Sequence, residues 1–234
     1  MIIIADAHVA ESIGNHKAFF RMLDHLAKSD QAIVFLGDIF ELWIAFDRYE
    51  ESLHRRFMAW CAAQKQRRSI GYVEGNHEFF LVDRRDKYFS WVASGAGRPE
   101  GSATLFVHGD LINRRDRSYL LFRKITKNAA ARHLVGVLPF GPSFVHYLSR
   151  RLKPINPQFR NHLPADEIHA FADRVFRGGI DTIFIGHFHR KYEYRTSQGN
   201  VLRSLPAWMG SGEVTLFDES SKRIRHLRWQ DVPV

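Results

Sequence analysis

Five short apolar runs in this chain each end in a cluster of carboxyl, amide or imidazole side chains, and that coupling limits the fold more than any other feature. The runs are IIIA (2–5), AIVFL (32–36), SIGYV (69–73), ATLFV (103–107) and DTIFI (181–185). Short, bounded and rich in β-branched and aromatic side chains, they read as buried strands. Just beyond them stand Asp6 and His8; Asp38 and Glu41; Asn76, His77 and Glu78; His108 and Asp110; and His187 and His189. In an open α/β sheet, ligands collect in the crevice outside the carboxyl ends of the strands, so the five clusters should converge there. If the last strand stays extended through Gly186, its period of two sends both His187 and His189 to one side.

Between the early runs lie helical patterns. Phe19, Met22, Leu23 and Leu26 recur within 15–28, and Leu53, Phe57, Trp60 and Cys61 within 48–66. A third helix is expected over 166–177, with Ile168, Phe171, Ala172 and Val175 facing inward. Strands alternating with helices imply a largely parallel sheet in this half. After Arg190 two hairpins are expected, turning near 198–200 and 219–222, which should make the second half antiparallel. The length suits one α/β domain over residues 1–234, with an insertion at 112–163.

The net charge of +9 is concentrated. Between Ile112 and His162 eleven lysines and arginines face Asp116 alone, so the excess belongs to that one segment. Within it, RSYLLFRKITKN and PSFVHYLSRRLK look helical, the second with Phe144, Leu148 and Leu152 spaced by four and Pro142 near its first turn. Between them HLVGVLPFGP carries apolar side chains. A basic amphipathic pair with an apolar bridge suits an anionic membrane boundary or an acyl-chain pocket. The plainer alternative, that these residues only pack the insert onto the sheet, stays open. MIIIAD starts the chain without a basic stretch, and no apolar run approaches bilayer length, so a cytoplasmic protein is expected. Cys61, the single cysteine, reads as a packed thiol. No interleaved stacking platform accompanies the basic charge, so no nucleic-acid partner is expected.

Asp6, His8, Asp38, Asn76, His108, His187 and His189 offer carboxylate, carboxamide and imidazole donors without sulfur, a set that suits Mn²⁺, Fe or Zn²⁺. Seven are too many for one ion. If Asp38 bridges, two ions about 3.5–4 Å apart can share them, as in two-metal phosphoryl transfer. Each piece alone is more often a cap or a satisfied polar group; five in one order at strand ends are not. Asp110 and Glu78 are expected to orient the imidazoles, whereas Glu41 reads equally as a carboxylate at a helix start. The other eight histidines read as surface or helix residues.

Taken together, the order D-x-H, GD-x-x-E, GNHE, HGD and GH-x-H resembles the calcineurin-like metallophosphoesterase superfamily. The resemblance implies a sandwich of two mixed β-sheets flanked by helices, with a helical cap inserted. It implies a first ion held by Asp6, His8, Asp38 and His189, a second by Asp38, Asn76, His108 and His187, and a catalytic pair of Asp38 and His77, the latter near the scissile phosphate. GDIFELWIAFD (37–47) and HGDLINRRDRSYLLFRKITKN (108–128) are similar to the UDP-2,3-diacylglucosamine diphosphatases of the lipid A pathway. That narrower resemblance implies two divalent ions, Mn²⁺ first, and a nucleotide-sugar lipid cleaved to UMP and an acylated sugar 1-phosphate. It also implies peripheral contact with the cytoplasmic face of the inner membrane, and substrate contacts from Asn76, Asp116, Tyr119 and Arg123. Those enzymes usually read GNRDF where this chain has His77 and Glu78, which leaves another phosphodiester, a nucleotide or a phosphoprotein as alternative substrates. A non-catalytic scaffold would be marked by lost ligands, and none of the seven is missing.

Overall fold

The computed structural model describes residues 1–139, 141 and 163–234. Each of the five apolar runs is a strand: β1 (Ile2–Ile4), β2 (Ile33–Phe35), β4 (Ile70–Glu74), β8 (Thr104–Val107) and β9 (Thr182–Ile185). They are shared between two mixed sheets. In the first, β1, β2, β4 and β6 (Trp91–Ser94) run parallel, and β12 (Glu213–Asp218) and β13 (Arg223–Arg228) complete one edge antiparallel. In the second, the order is β10 (Tyr192–Arg195), β11 (Val201–Ser204), β9, β8 and β7 (Ala96–Gly97). A two-stranded parallel pair, β3 (Trp43–Ile44) with β5 (Glu78–Phe79), sits apart.

The apolar runs are continuous because both faces of these strands are covered. Ile2 and Ile4 face α1 (His16–Leu26) and α2 (Ser52–Gln64), packing with Phe19, Phe57 and Tyr72. Alternate residues Ile3, Ala5, Val34 and Leu36 point the other way, onto Phe106, Phe184, Leu205 and Phe217, and these fill the space between the sheets. The far face of the second sheet packs Ile183, Ile185 and Leu202 against Ile168, Ala172 and Phe176 of α6 (Ala165–Phe176). The layering is therefore helices, sheet, sheet, helix. The helices expected within 15–28, 48–66 and 166–177, that of RSYLLFRKITKN and both hairpins are present, and Cys61 is buried.

Two expectations need correction. Not all of the second half is antiparallel: β11 lies parallel to β9, with β10 outside it. The reason is burial, since β11 is buried throughout and belongs inside the sheet, whereas β10 alternates with exposed Glu193 and Arg195 and suits an edge. The apolar bridge expected from His133 onward is largely a helix of its own. Asn128 caps α5 (Ala129–Val137), its Oδ1 accepting from the Ala131 N–H at 2.9 Å, as Asp116 caps α4 (Arg117–Thr126). His54, among the histidines expected at the surface or in helices, is a buried residue of α2. The helix expected around Phe144, Leu148 and Leu152, with Pro142, Arg150, Arg151, Lys153 and Arg160, lies outside the described residues. Among the described helices, which include the four-residue α3 (Leu81–Arg84), none is long and apolar enough to cross a membrane.

Candidate metal centre

Every candidate ligand sits one to four residues past the end of β1, β2, β4, β8 or β9, in turns at the shared edge of the two sheets. The turns are tight: Asp6, His8, Asp38, His187 and His189 all have left-handed backbones, with φ of 50°, 43°, 49°, 68° and 54°. These are five of seven such non-glycine residues among those described. Left-handed backbone at non-glycine positions is costly and gathers where function over-determines it. It also corrects the expectation for the last pair, because β9 stops at Ile185 and His187 and His189 reach the centre through turns, not through the pleat.

Two glycines permit the approach. A Cβ on Gly37, at φ +80°, would lie 2.4 Å from His108 Nδ1, and one on Gly75 would lie 2.4 Å from Asp38 Oδ1. Backbone bonds then stitch the loops together. Asp6 N donates to Gly37 O at 3.1 Å, His8 N to Asp38 O at 2.9 Å, and His187 N to both carboxylate oxygens of Asp6 at 3.0 and 2.9 Å.

The seven residues meet. Asp38 Oδ2 lies 3.8 Å from His8 Nε2, 3.4 Å from His108 Nε2 and 3.9 Å from His77 Nε2, so one carboxylate oxygen is surrounded by three imidazoles. On one side Asn76 Oδ1 is 2.9 Å from both His108 Nε2 and His187 Nδ1. On the other, His189 Nε2 is 3.4 Å from Asp6 Oδ1. Three groups could each surround an ion: Asp6 with His8 and His189, His8 with Asp38 and His77, and Asp38 with His108 and His187.

The donor set fits divalent cations on two observations. Neighbouring ligands bound at about 2.0–2.2 Å lie about 3 Å apart, which is the spacing around Asn76. In addition, His8 Nε2 is buried with no hydrogen-bond partner among the described residues, although it faces a carboxylate. The electrostatics agree. Burial would raise the Asp38 carboxyl, yet His108, His77 and His8 hold it well below the ordinary carboxylate range. Burial would lower the His108 imidazole, yet Asp38 and Asp6 push it up to about 10. His108 Nδ1 faces the Leu36 carbonyl at 3.1 Å, so with Nε2 facing Asp38 and Asn76 the ring donates on both sides, and its second proton stands where a cation would serve. Burial and the adjacent His108 charge lower His187 to about 4, leaving it a neutral ring. His77 is raised: burial lowers it, but Asp38 and the Glu41 carbonyl outweigh that.

The supporting residues differ from expectation. Glu78 orients backbone rather than an imidazole: it accepts from the N–H groups of Asp38 (2.9 Å), Ile39 (2.7 Å) and Gly75 (2.7 Å) and from the Tyr72 hydroxyl (2.9 Å). Asp110 is buried and takes a hydroxyl from Tyr119 and a guanidinium from Arg123, both on α4. Tyr119 and Arg123 thus spend polar atoms on the HGD turn, and Asp116 Oδ1 accepts from Tyr119 N at 3.0 Å. Lys127 reaches Glu74, 3.3 Å away, and the Gly75 carbonyl. Glu41 Oε2 lies 3.1 Å from His8 Nδ1, a contact that the sequence reading missed. Asn15 was missed too; its amide holds the DAH turn through Ala7 O, His8 O and Ala10 N.

A two-sheet sandwich that gathers seven sulfur-free donors at its strand ends defines a metal-dependent hydrolase. A family model described as calcineurin-like phosphoesterase matches residues 1–191, and the chain belongs to that family. It is similar to a protein of Shewanella sp. (strain ANA-3) named UDP-2,3-diacylglucosamine hydrolase, 33% identical over 240 residues and 97% of each chain. Proteins of the same name from Blochmanniella pennsylvanica (25% identical, covering 96% of this chain and 94% of that one) and Pseudomonas paraeruginosa (27% identical, 83% of each) are also similar.

Proposed function

We propose that this phosphoesterase hydrolyses the diphosphate of a UDP-linked acylated glucosamine, of the UDP-2,3-diacylglucosamine type, to UMP and an acylated sugar 1-phosphate. That substrate belongs to lipid A synthesis. Asp6, His8, Asp38 and His189 would hold one divalent ion and Asp38, Asn76, His108 and His187 a second, Mn²⁺ being the first choice and Fe or Zn²⁺ compatible with the same donors. Bound there, such ions supply Lewis-acid polarisation of the phosphoryl oxygens and a water-derived nucleophile near neutral pH.

The chain's own residues do the rest. Asp38 stays ionised between the two ligand sets. His77, raised by its neighbours, holds its proton to higher pH than a free imidazole, and that proton would stabilise developing charge or pass to the leaving oxygen. Asn76, Asp116, Tyr119 and Arg123 would meet the sugar phosphate from the cap side, with Tyr119 and Arg123 also fixing the HGD turn.

The observation that carries the lipid reading is the face of α4 and α5. Leu121, Phe122, Ile125, Leu134 and Val137 are 46–60% exposed there, on helices tied by Arg123 and Lys127 to the strand ends that bear the ligands. A cavity of about 510 Å³ opens among Leu121, Ile125, Ala131 and Leu134. Apolar surface of that extent beside a polar centre suits acyl chains, and with basic α4 it suits peripheral contact at the cytoplasmic face of an anionic inner membrane. No nucleic acid enters this reading. The second reading, a soluble phosphodiester, nucleotide or phosphoprotein substrate, draws on His77 standing where the lipid enzymes carry arginine. Hydrolysis of UDP-2,3-diacylglucosamine against bis(p-nitrophenyl) phosphate, with and without detergent, decides between them. A strong preference for the acylated substrate is expected; faster turnover of the soluble diester would reject the lipid assignment.

A further inference from the structure

We propose that Glu41 is a positioning residue for this centre: its side chain fixes the tautomer of His8 and its main-chain carbonyl orients the ring of His77, turning Nε2 of both toward Asp38. The inference rests on the reading that His8 holds a cation.

The path of the chain puts Glu41 between the two histidines. On one side, residues 39–41 run beside the DAH turn: Val9 N donates to Ile39 O at 2.8 Å, Glu41 N donates to Val9 O at 3.2 Å, and Val9 bridges Phe40. On the other, the small sheet begins at once, Trp43 N donating to His77 O at 2.9 Å with Trp43 opposite Glu78. Glu41 is therefore held from both flanks by backbone pairing. Its Oε2 meets His8 Nδ1 at 3.1 Å and its carbonyl meets His77 Nδ1 at 2.5 Å.

Neither acceptor has a hydrogen to give, so both Nδ1 atoms must donate. For a neutral ring that leaves the lone pair on Nε2. These Nε2 atoms lie 3.8 and 3.9 Å from Asp38 Oδ2, and that of His8 has no hydrogen-bond partner among the described residues. A carboxylate behind a ligating imidazole fixes the ring and raises its basicity, and loss of such a partner weakens metal binding about 10–100-fold. The competing interpretation is an ordinary ion pair. With the Glu41 side chain 50% exposed, that would add at most about 1 kcal/mol of stability and leave metal affinity alone.

Titration of the metal-free protein with Mn²⁺ separates these, comparing wild type with Glu41→Ala, Glu41→Gln, His8→Ala and the Glu41→Ala/His8→Ala double variant. Glu41→Ala should weaken Mn²⁺ binding about 10–100-fold. Glu41→Gln should lose less, because its carboxamide oxygen still accepts, and Glu41→Ala should add nothing once His8 is gone. Imidazole nitrogen resonances should show His8 fixed with Nδ1–H in the wild type and mixed in Glu41→Ala. If Glu41→Ala does not fold, Glu41→Gln and Glu41→Asp carry the same comparison. Mn²⁺ affinity within twofold of wild type in Glu41→Ala, alongside a clear loss in His8→Ala, overturns the positioning role and leaves the metal centre standing. An undiminished Glu41→Ala effect in the His8→Ala background also overturns it. No loss in His8→Ala overturns the metal assignment of His8 and the inference with it.

Discussion

At the scale of single residues, Asp38 is the hinge of the site because one of its oxygens faces three imidazoles. Asp38→Ala removes the group that the two proposed ligand sets would share. Several kcal/mol of transition-state stabilisation depend on the ions, so turnover should fall about 10³-fold, with unchanged circular dichroism. Activity within tenfold of wild type would reject the shared-ligand role. A second expectation concerns protons. In the metal-free protein His108 titrates at about 10 and His187 at about 4, so near pH 8 the first ring carries a proton and the second does not. A cation held as proposed by His108 Nε2 would displace that proton. Mn²⁺ affinity should therefore rise about tenfold per pH unit from about pH 6.5 to about pH 9, with about one proton released, measured by calorimetry in buffers of differing ionisation heat. Affinity flat across that range would show that His108 does not exchange its proton for the ion.

At the scale of elements, α2 offers a test away from the metal. His54 Nδ1 accepts from Glu51 N at 3.0 Å to close the capping box, and its Nε2–H donates to Leu42 O at 3.1 Å, an arrangement only the neutral ring can satisfy. Burial lowers His54 to about 4 from an ordinary 6.5. Below about 6.5 the unfolded chain binds a proton that the folded chain refuses. This stabilisation is thus complete above that pH and is lost as pH falls through about 4, to a limit of about 3 kcal/mol. Urea denaturation of metal-free wild type and His54→Gln at pH 7, 5.5 and 4.5 should show the gap between them closing as pH drops; a constant gap would refute the assignment. The elements also show what a sequence can and cannot reveal. The five strands and the longer helices were legible because burial on both faces, or on one stripe, writes directly into the residue pattern. The short strands β3, β5, β6 and β7 were not, since two to four residues carry little periodicity and their pairing is set by distant chain. The seven candidate ligands were legible as side chains, but not the left-handed backbones at Asp6, His8, Asp38, His187 and His189, because none of these positions is itself a glycine. The role of Glu41 stayed open for a related reason: its partner His8 lies 33 residues away, and a carboxylate after an apolar pair looks local.

At the scale of the molecule, the question is what α4 and α5 add to a centre that the sheets already complete. Their polar side is committed inward: Arg123 and Tyr119 to Asp110, Lys127 to Glu74, and the Val135 carbonyl to the hydroxyl of Tyr49 at 3.0 Å. Their apolar side is left outward, with Leu121, Ile125 and Leu134 near 60% exposed. If that side serves an acylated substrate, burying half of each of three such side chains contributes about 1 kcal/mol apiece, or roughly 100-fold in binding. Leu121→Gln, Ile125→Gln and Leu134→Gln combined should thus raise KM for UDP-2,3-diacylglucosamine by about that factor. The same triple variant should leave bis(p-nitrophenyl) phosphate hydrolysis within twofold, because all three side chains are mostly exposed on the outer side of α4 and α5. Equal losses on both substrates would mean that the face only supports the insert, and a gain on neither with intact Mn²⁺ binding would return the enzyme to the soluble-diester reading.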